Sequence, residues 1–217
     1  MSRRRLYLMR HAEVAYFDED GRPVGVADVG LTAEGERQAS ATAKAFRGIR
    51  FDRVLTSGLA RTLATASIVV PDVEPESWPE LRELEPRLLD VPVEQLEHAF
   101  VGAFRGILPE DARFLGGETI GSLFDRVLPA IDRLLTDDDW DIALAVLHGG
   151  VNRAILSYAL TGERTFLGGF EQAPGCINVL DVGDDWIVRA VGVTPYDLVH
   201  TTTRQTTMEH LFSQYRP

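Results

Sequence analysis

The chain has 217 residues, 45% of them hydrophobic and 25% charged, which suits one globular domain with a sizeable core and at most a small insertion. Its formal net charge of -11 disfavours nucleic acid and anionic membranes as partners and obliges any anionic substrate to find a local basic pocket. The lone cysteine, Cys176, excludes an internal disulfide, fits a reducing, cytoplasmic setting, and reads as a small buried side chain in a strand.

In chain order, residues 2–5 are basic, but the apolar run after them is too short for a signal-peptide core. Residues 6–9 are a short apolar run that predicts a buried strand. It ends abruptly in Arg10, His11, Ala12 and Glu13. A polar connection over 14–30 follows, rich in glycine. Thr32 is placed to N-cap a helix with Ala39, Ala43 and Phe46 on one face. Residues 51–56 predict a second strand, Ser57 and Gly58 a turn with Ser57 as helix N-cap, and 59–70 a helix. Residues 71–79 read as loop, and 80–84 as a short edge strand or turn. Apolar residues recur at helical spacing over 92–107. Gly116-Gly117-Glu118-Thr119 precedes a helix to about Leu135, which Pro129 should kink or split.

Residues 142–147 are apolar almost throughout, the pattern of a central strand covered on both faces. They end in His148-Gly149-Gly150 and a helix over 151–160. Residues 176–182 and 186–193 predict a hairpin around Gly183-Asp184-Asp185. The tail from Thr194 is polar, with a short helix near its end. This alternation implies an α/β fold, a three-layer α/β/α sandwich with a mostly parallel central sheet. Three strands end in candidate chemistry, at Arg10-His11, Thr56-Ser57 and His148-Gly149, and they share one pocket if the strands are neighbours. No apolar run approaches a membrane span, and no His/Cys cluster has metal-ligand spacing. Taken alone, Arg10-His11 also fits a surface dipeptide, and Arg61 a surface charge.

In order along the chain, these segments resemble the histidine phosphatase superfamily, which includes the phosphoglycerate mutases. Residues 8–13 are similar to its Arg-His-Gly-Glu signature, 31–39 to the segment after it, and 54–66 to the one carrying a second phosphate-binding arginine. Residues 81–83 resemble the segment with the acid, and 116–119 and 147–153 two later ones. The resemblance covers residues 6 to about 182 and implies one domain over 1–217, with a helical, substrate-facing insertion around 85–115. It implies that His11 attacks phosphorus to form a phosphohistidine, and that Glu83 protonates the leaving oxygen and then helps activate water. Glu80 and Glu85 flank that acid, and the offset of the resemblance points to Glu83.

Phosphoryl transfer spreads negative charge over the equatorial oxygens. Arg10 and Arg61 offer planar forks for them, His148 adds a third cation if protonated in the complex, and backbone N–H groups near Ser57 and Gly149 add donors. With side chains as the cations, no metal or cofactor is required.

Three departures stand out. Ala12 replaces the glycine that usually follows the nucleophile, Phe17 stands where an asparagine is frequent, and Val24-Gly25 replaces the Thr-Gly pair that helps the mutases hold a substrate carboxylate. The expectation is therefore a phosphomonoesterase acting on a small phosphorylated metabolite. A mutase and a non-catalytic phospho-ligand binding protein are the alternatives, and a homo-oligomer is left open. Leu and Phe in the 85–115 segment favour an organic, partly apolar leaving group if that face lines the pocket.

Overall fold

The computed structural model of the chain describes residues 3–215 except 21, 23, 25–28, 89–90 and 202–203. The run Ile142–Leu147 forms β5, five of its six residues buried. A strand apolar on both faces belongs in the middle of a sheet. It lies between β1 (Arg4–Arg10) and β2 (Arg53–Thr56), parallel to both. A two-residue strand, β3 (Glu76–Ser77), continues the parallel edge beyond β2. On the far side of β1 the expected hairpin, β7 (Ile177–Val182) and β8 (Trp186–Val193), adds two antiparallel strands. The order is β3-β2-β5-β1-β7-β8.

Alternate strand residues point to opposite faces, and each face is covered by helices. On one, Met9, Val54, Leu144 and Val146 pack with Ala39 and Phe46, from and just after α1 (Ala33–Ala45), and with Ala66 and Val69 of α2 (Ala60–Val69). On the other, Leu6, Leu8, Leu55 and Ala145 pack with Phe124 and Ile131 of α4 (Ile120–Thr136) and Ile155 of α5 (Gly149–Thr161). The expected three-layer sandwich is what forms. Thr32 caps α1 by accepting from the Gly35 amide at 3.0 Å.

Several local expectations are corrected. The helix expected over 92–107 is a 3-10 turn, Val93–Gln95, and a short α3, Leu96–Gly102. Gly106, at φ 64°, adopts a left-handed conformation that no right-handed helix can continue. Beyond it β4 (Ile107–Leu108) pairs antiparallel with β6 (Phe166–Leu167). The edge strand sits at β3, upstream of 80–84, because Pro79 has no N–H to extend the ladder and opens a 3-10 turn, Pro79–Leu81, instead. Pro129 does not split α4: Val127, Ala130, Ile131 and Leu134 on both sides of it are buried, and one missing backbone bond does not undo that burial. Cys176 is buried as expected but lies just before β7 rather than within it. The tail carries α6, Thr207–Gln214. Among the described residues no helix is long and apolar enough to cross a membrane.

Candidate active site

Strand register brings the candidate residues together. Arg10 lies opposite Leu147 and Thr56 opposite Val146, so His11, Ser57 and His148 all follow neighbouring parallel strand ends. The His11 amide ties the ends together by donating to the Leu147 carbonyl at 2.9 Å. The His11 and His148 rings meet edge to face, 5.2 Å between centroids.

Each imidazole is held in one tautomer. His11 Nδ1 lies 2.8 Å from the Ala12 carbonyl, which can only accept, so Nδ1 carries the proton and Nε2 keeps a lone pair. That lone pair faces the Tyr16 hydroxyl at 3.2 Å. His148 Nδ1 faces Arg61 Nη2 at 3.5 Å, so Nδ1 accepts and Nε2–H donates to Ser57 Oγ at 2.8 Å. Burial, then the charges of Arg10 and Arg61, hold the His11 pKa well below its usual range. Burial does the same for His148, with His11 and Arg61 adding to it. These effects favour neutral His148 in the absence of a bound anion.

Arg10 and Arg61 are 7% and 2% exposed, so neither is a surface charge. Arg10 Nη1 donates to the Gln172 carbonyl at 2.5 Å and to Thr207 Oγ1 at 3.1 Å. Its Nε is buried without a protein acceptor, a donor that an anion's oxygen would satisfy. Behind it, the side chains of Gln172 and Asn178 bond each other reciprocally at 2.9 and 2.8 Å.

Glu83 sits at the start of α5. Both its carboxylate oxygens accept from the Gly150 amide, at 3.1 and 3.0 Å, where the helix dipole favours an anion. Gly150 permits this approach: a Cβ there would stand 2.5 Å from Glu83 Oε1. Glu80 instead pairs with Arg133 at 3.0 Å, and exposed Glu85 has its amide bonded to Glu118 at 3.2 Å. Of the three acids, Glu83 alone reaches the His148-Gly149-Gly150 turn.

Ser57 is not the helix N-cap expected of it. Gly58, at φ 79°, delays α2 so that Leu59 takes the cap position, and Ser57 Oγ turns to His148 and to Thr62 Oγ1 at 3.2 Å. The Ala12 methyl is buried and packs into the core with α1 and α2. Phe17 packs edge to face on Tyr215 at 5.7 Å, and Gly25 of the Val24-Gly25 pair lies outside the described residues.

A cavity of about 700 Å³ opens beside these groups, lined by Arg10, Arg61, Glu83, Gly149, Arg126 and Arg153 among others. His11 opens on an adjoining cavity of about 430 Å³. Arg10, Tyr16 and Thr207 line both. The local basic pocket that an anion needs in this acidic protein is therefore present. Tyr16 and Thr207 escape a reading of the sequence. Nothing local marks a tyrosine in a polar loop, and Thr207 follows Arg10 by nearly the whole chain.

The sequence matches the profile of the histidine phosphatase superfamily (branch 1) over residues 6–192. A probable phosphoglycerate mutase GpmB of Salmonella paratyphi A is 32% identical over 151 residues, 66% of this chain and 69% of that one. Among solved structures, a putative alpha-ribazole-5'-P phosphatase from Escherichia coli superposes with a TM-score of 0.69 at 25% identity, covering 87% of this chain and 96% of that one. The mycobacterial glucosyl-3-phosphoglycerate phosphatase in complex with VO3 gives the same TM-score, 0.69, at 20% identity over 87% and 98% of the two chains, and shares the fold.

Proposed function

The chain belongs to the histidine phosphatase superfamily, and from that footing we propose that it is a metal-independent phosphomonoesterase acting on a small phosphorylated metabolite through a phosphohistidine on His11. The observation that carries this is a neutral, buried imidazole beside two buried arginines where two cavities adjoin, with Arg10 lining both.

The phosphoryl oxygens bind Arg10 and Arg61, whose charge balances what develops in the transition state. The incoming phosphoryl group replaces the Tyr16 hydroxyl at His11 Nε2, and the Nε2 lone pair forms the bond to phosphorus. The bond from phosphorus to the ester oxygen breaks, and Glu83, which takes up a proton as the anionic phosphate binds beside it, gives that proton to the oxygen. Water then attacks phosphorus, Glu83 takes a proton from it, and the phosphorus–nitrogen bond breaks to return neutral His11 and inorganic phosphate. His148, bonded to Ser57 and Arg61, and the Gly149 turn complete the phosphate-binding set. The 85–115 segment is the substrate-facing insertion of a single domain.

The Salmonella relative supports a mutase as the second reading, in which a second hydroxyl replaces water. Val24, in the register of the mutases' threonine, lines the cavity and brings no hydroxyl for a carboxylate. The test is phosphate release from phenyl phosphate and from an alkyl phosphate in EDTA, alongside phosphoryl exchange between the hydroxyls of a phosphoglycerate. Release without exchange is expected. Exchange outrunning release would make it a mutase, and neither would make it a binding protein.

A further inference from the structure

We propose that the leaving group is an alcohol with a large apolar body, held in the wing of the main cavity that its apolar side chains line. The proposal rests on the phosphomonoesterase reading above and narrows its substrate class.

The wing is built from segments far apart in sequence. Phe100 comes from α3, Phe104 from the turn after it, Phe114 and Leu115 from the loop before α4, and Met208 and Leu211 from α6. Phe104 lies nearly parallel to Phe114, 5.3 Å between centroids and 19° between planes. Its ring also carries the Arg153 guanidinium at 4.4 Å. Phe100 backs onto α6 through Phe212, at 5.7 Å. The volume, about 700 Å³, is in the range of cavities that enclose drug-sized ligands, far beyond what a phosphoryl group on a three-carbon acid fills.

The charged groups lining the cavity beyond the arginine pair are largely engaged. Arg126 donates to both Glu118 oxygens, at 2.8 and 2.9 Å, and to the carbonyls of Glu80 and Arg82, at 2.7 and 2.6 Å. Arg153 donates to the carbonyls of Gly168 and Gly149, both at 3.1 Å, and Arg82 is exposed. Such walls reward an apolar occupant, because each buried methylene removes apolar surface from water. A protein partner fits less well, since the wing is a concavity continuous with the phosphate end.

Straight-chain alkyl phosphates from ethyl to octyl test this. Their leaving-group basicity is nearly constant, so a change in kcat/KM along the series reports the cavity rather than the bond being broken. We expect kcat/KM to rise about two- to fourfold per methylene until the wing is filled. The non-hydrolysable alkylphosphonates, titrated by calorimetry, should tighten in parallel. Leu211→Gln, at a half-buried position of α6, should lower the octyl-to-ethyl ratio of kcat/KM about tenfold or more, and Met208→Gln, at a buried one, should do the same, with circular dichroism and a denaturant midpoint verifying the fold of each. Turnover with no dependence on chain length would overturn the apolar leaving group and leave the phosphatase reading standing. Chain-dependent phosphonate binding without turnover of any ester would sustain the wing and sink the phosphatase reading instead.

Discussion

His11 is buried, neutral and fixed by the Ala12 carbonyl with its lone pair on Nε2, the state a nucleophile needs. His11→Ala should therefore abolish turnover in a folded protein. Wild-type enzyme quenched in alkaline detergent during turnover should carry a phosphoramidate that survives base and is lost in acid. Near-normal activity in folded His11→Ala would end the covalent mechanism. Arg61 is 2% exposed, and its fork rather than its charge alone suits phosphate oxygens. Arg61→Ala should lower kcat/KM by about 100-fold or more, and Arg61→Lys by less, with weaker vanadate inhibition in both. If both inhibit and turn over like wild type, Arg61 does not touch the phosphoryl group. Glu83→Gln should slow alkyl phosphates, whose poor leaving groups need a proton, far more than aryl phosphates. An equal loss on the two would give Glu83 a structural role, and a selective loss in Glu80→Gln or Glu85→Gln would move the acid there.

Two helical glycines show how an element serves the site. Alanine favours a helix over glycine by about 1 kcal/mol, so context decides each substitution. At Gly35, in the first turn of α1, a Cβ would stand 2.2 Å from the Glu13 carbonyl oxygen, and backbone cannot swing aside. Gly35→Ala should destabilise by about 1–3 kcal/mol in denaturant titration. At Gly150, in the first turn of α5, the Cβ would meet Glu83 Oε1 at 2.5 Å and Leu84 Cδ1 at 2.9 Å; the carboxylate can swing aside, whereas Leu84 is packed in the core. Gly150→Ala should cost less stability than Gly35→Ala while lowering kcat about tenfold or more, because the carboxylate leaves the amide that positions it. Unchanged kcat with alkyl phosphates would mean that this placement is not required.

Across the whole molecule, the site makes the fold sensitive to acid. An unfolded histidine titrates near the ordinary 6.5, whereas His11 and His148 titrate well below it when folded. Below pH 6.5 the unfolded chain binds protons that the folded chain refuses, so this stability is whole above that pH and is lost as pH falls. The loss is at most about 1.4 kcal/mol per pH unit for each histidine. Asp181, held low chiefly by its hydrogen bond to Arg5, with Arg189 adding to it, also loses its contribution on acidification, but only as pH falls below the ordinary 3.8. Glu76, Glu80, Glu110 and Glu209 are also held low, the first three chiefly by arginine partners and Glu209 by the Thr206 amide, and lose their contributions as pH falls toward the ordinary 4.5 and below, so denaturation between about pH 5.5 and 6.5 isolates the histidines. His148→Gln should shallow the slope there, and a slope identical to wild type would mean that His148 is protonated in the folded protein.

Local pattern was enough for the class of fold, the central position of β5, the cap of α1 and the strand ends that carry Arg10, His11 and His148, because strand and helix periods and turn residues act within a few positions of themselves. The resemblance of its motifs placed Arg61 and Glu83 for the same reason, each motif being short and continuous. Contacts between distant segments account for the rest, and for why the flanking acids lie elsewhere. Glu83 rather than Glu80 or Glu85 reaches the start of α5 because Glu80 is drawn to Arg133 and Glu85 lies beside Glu118. The left-handed turn at Gly106 ends a pattern that reads as continuous helix. Tyr16 on His11 and Thr207 on Arg10, like the apolar wing closed by α6, exist only once the sheet has brought the two ends of the chain together. Long-range packing of this kind leaves no period in the sequence to read.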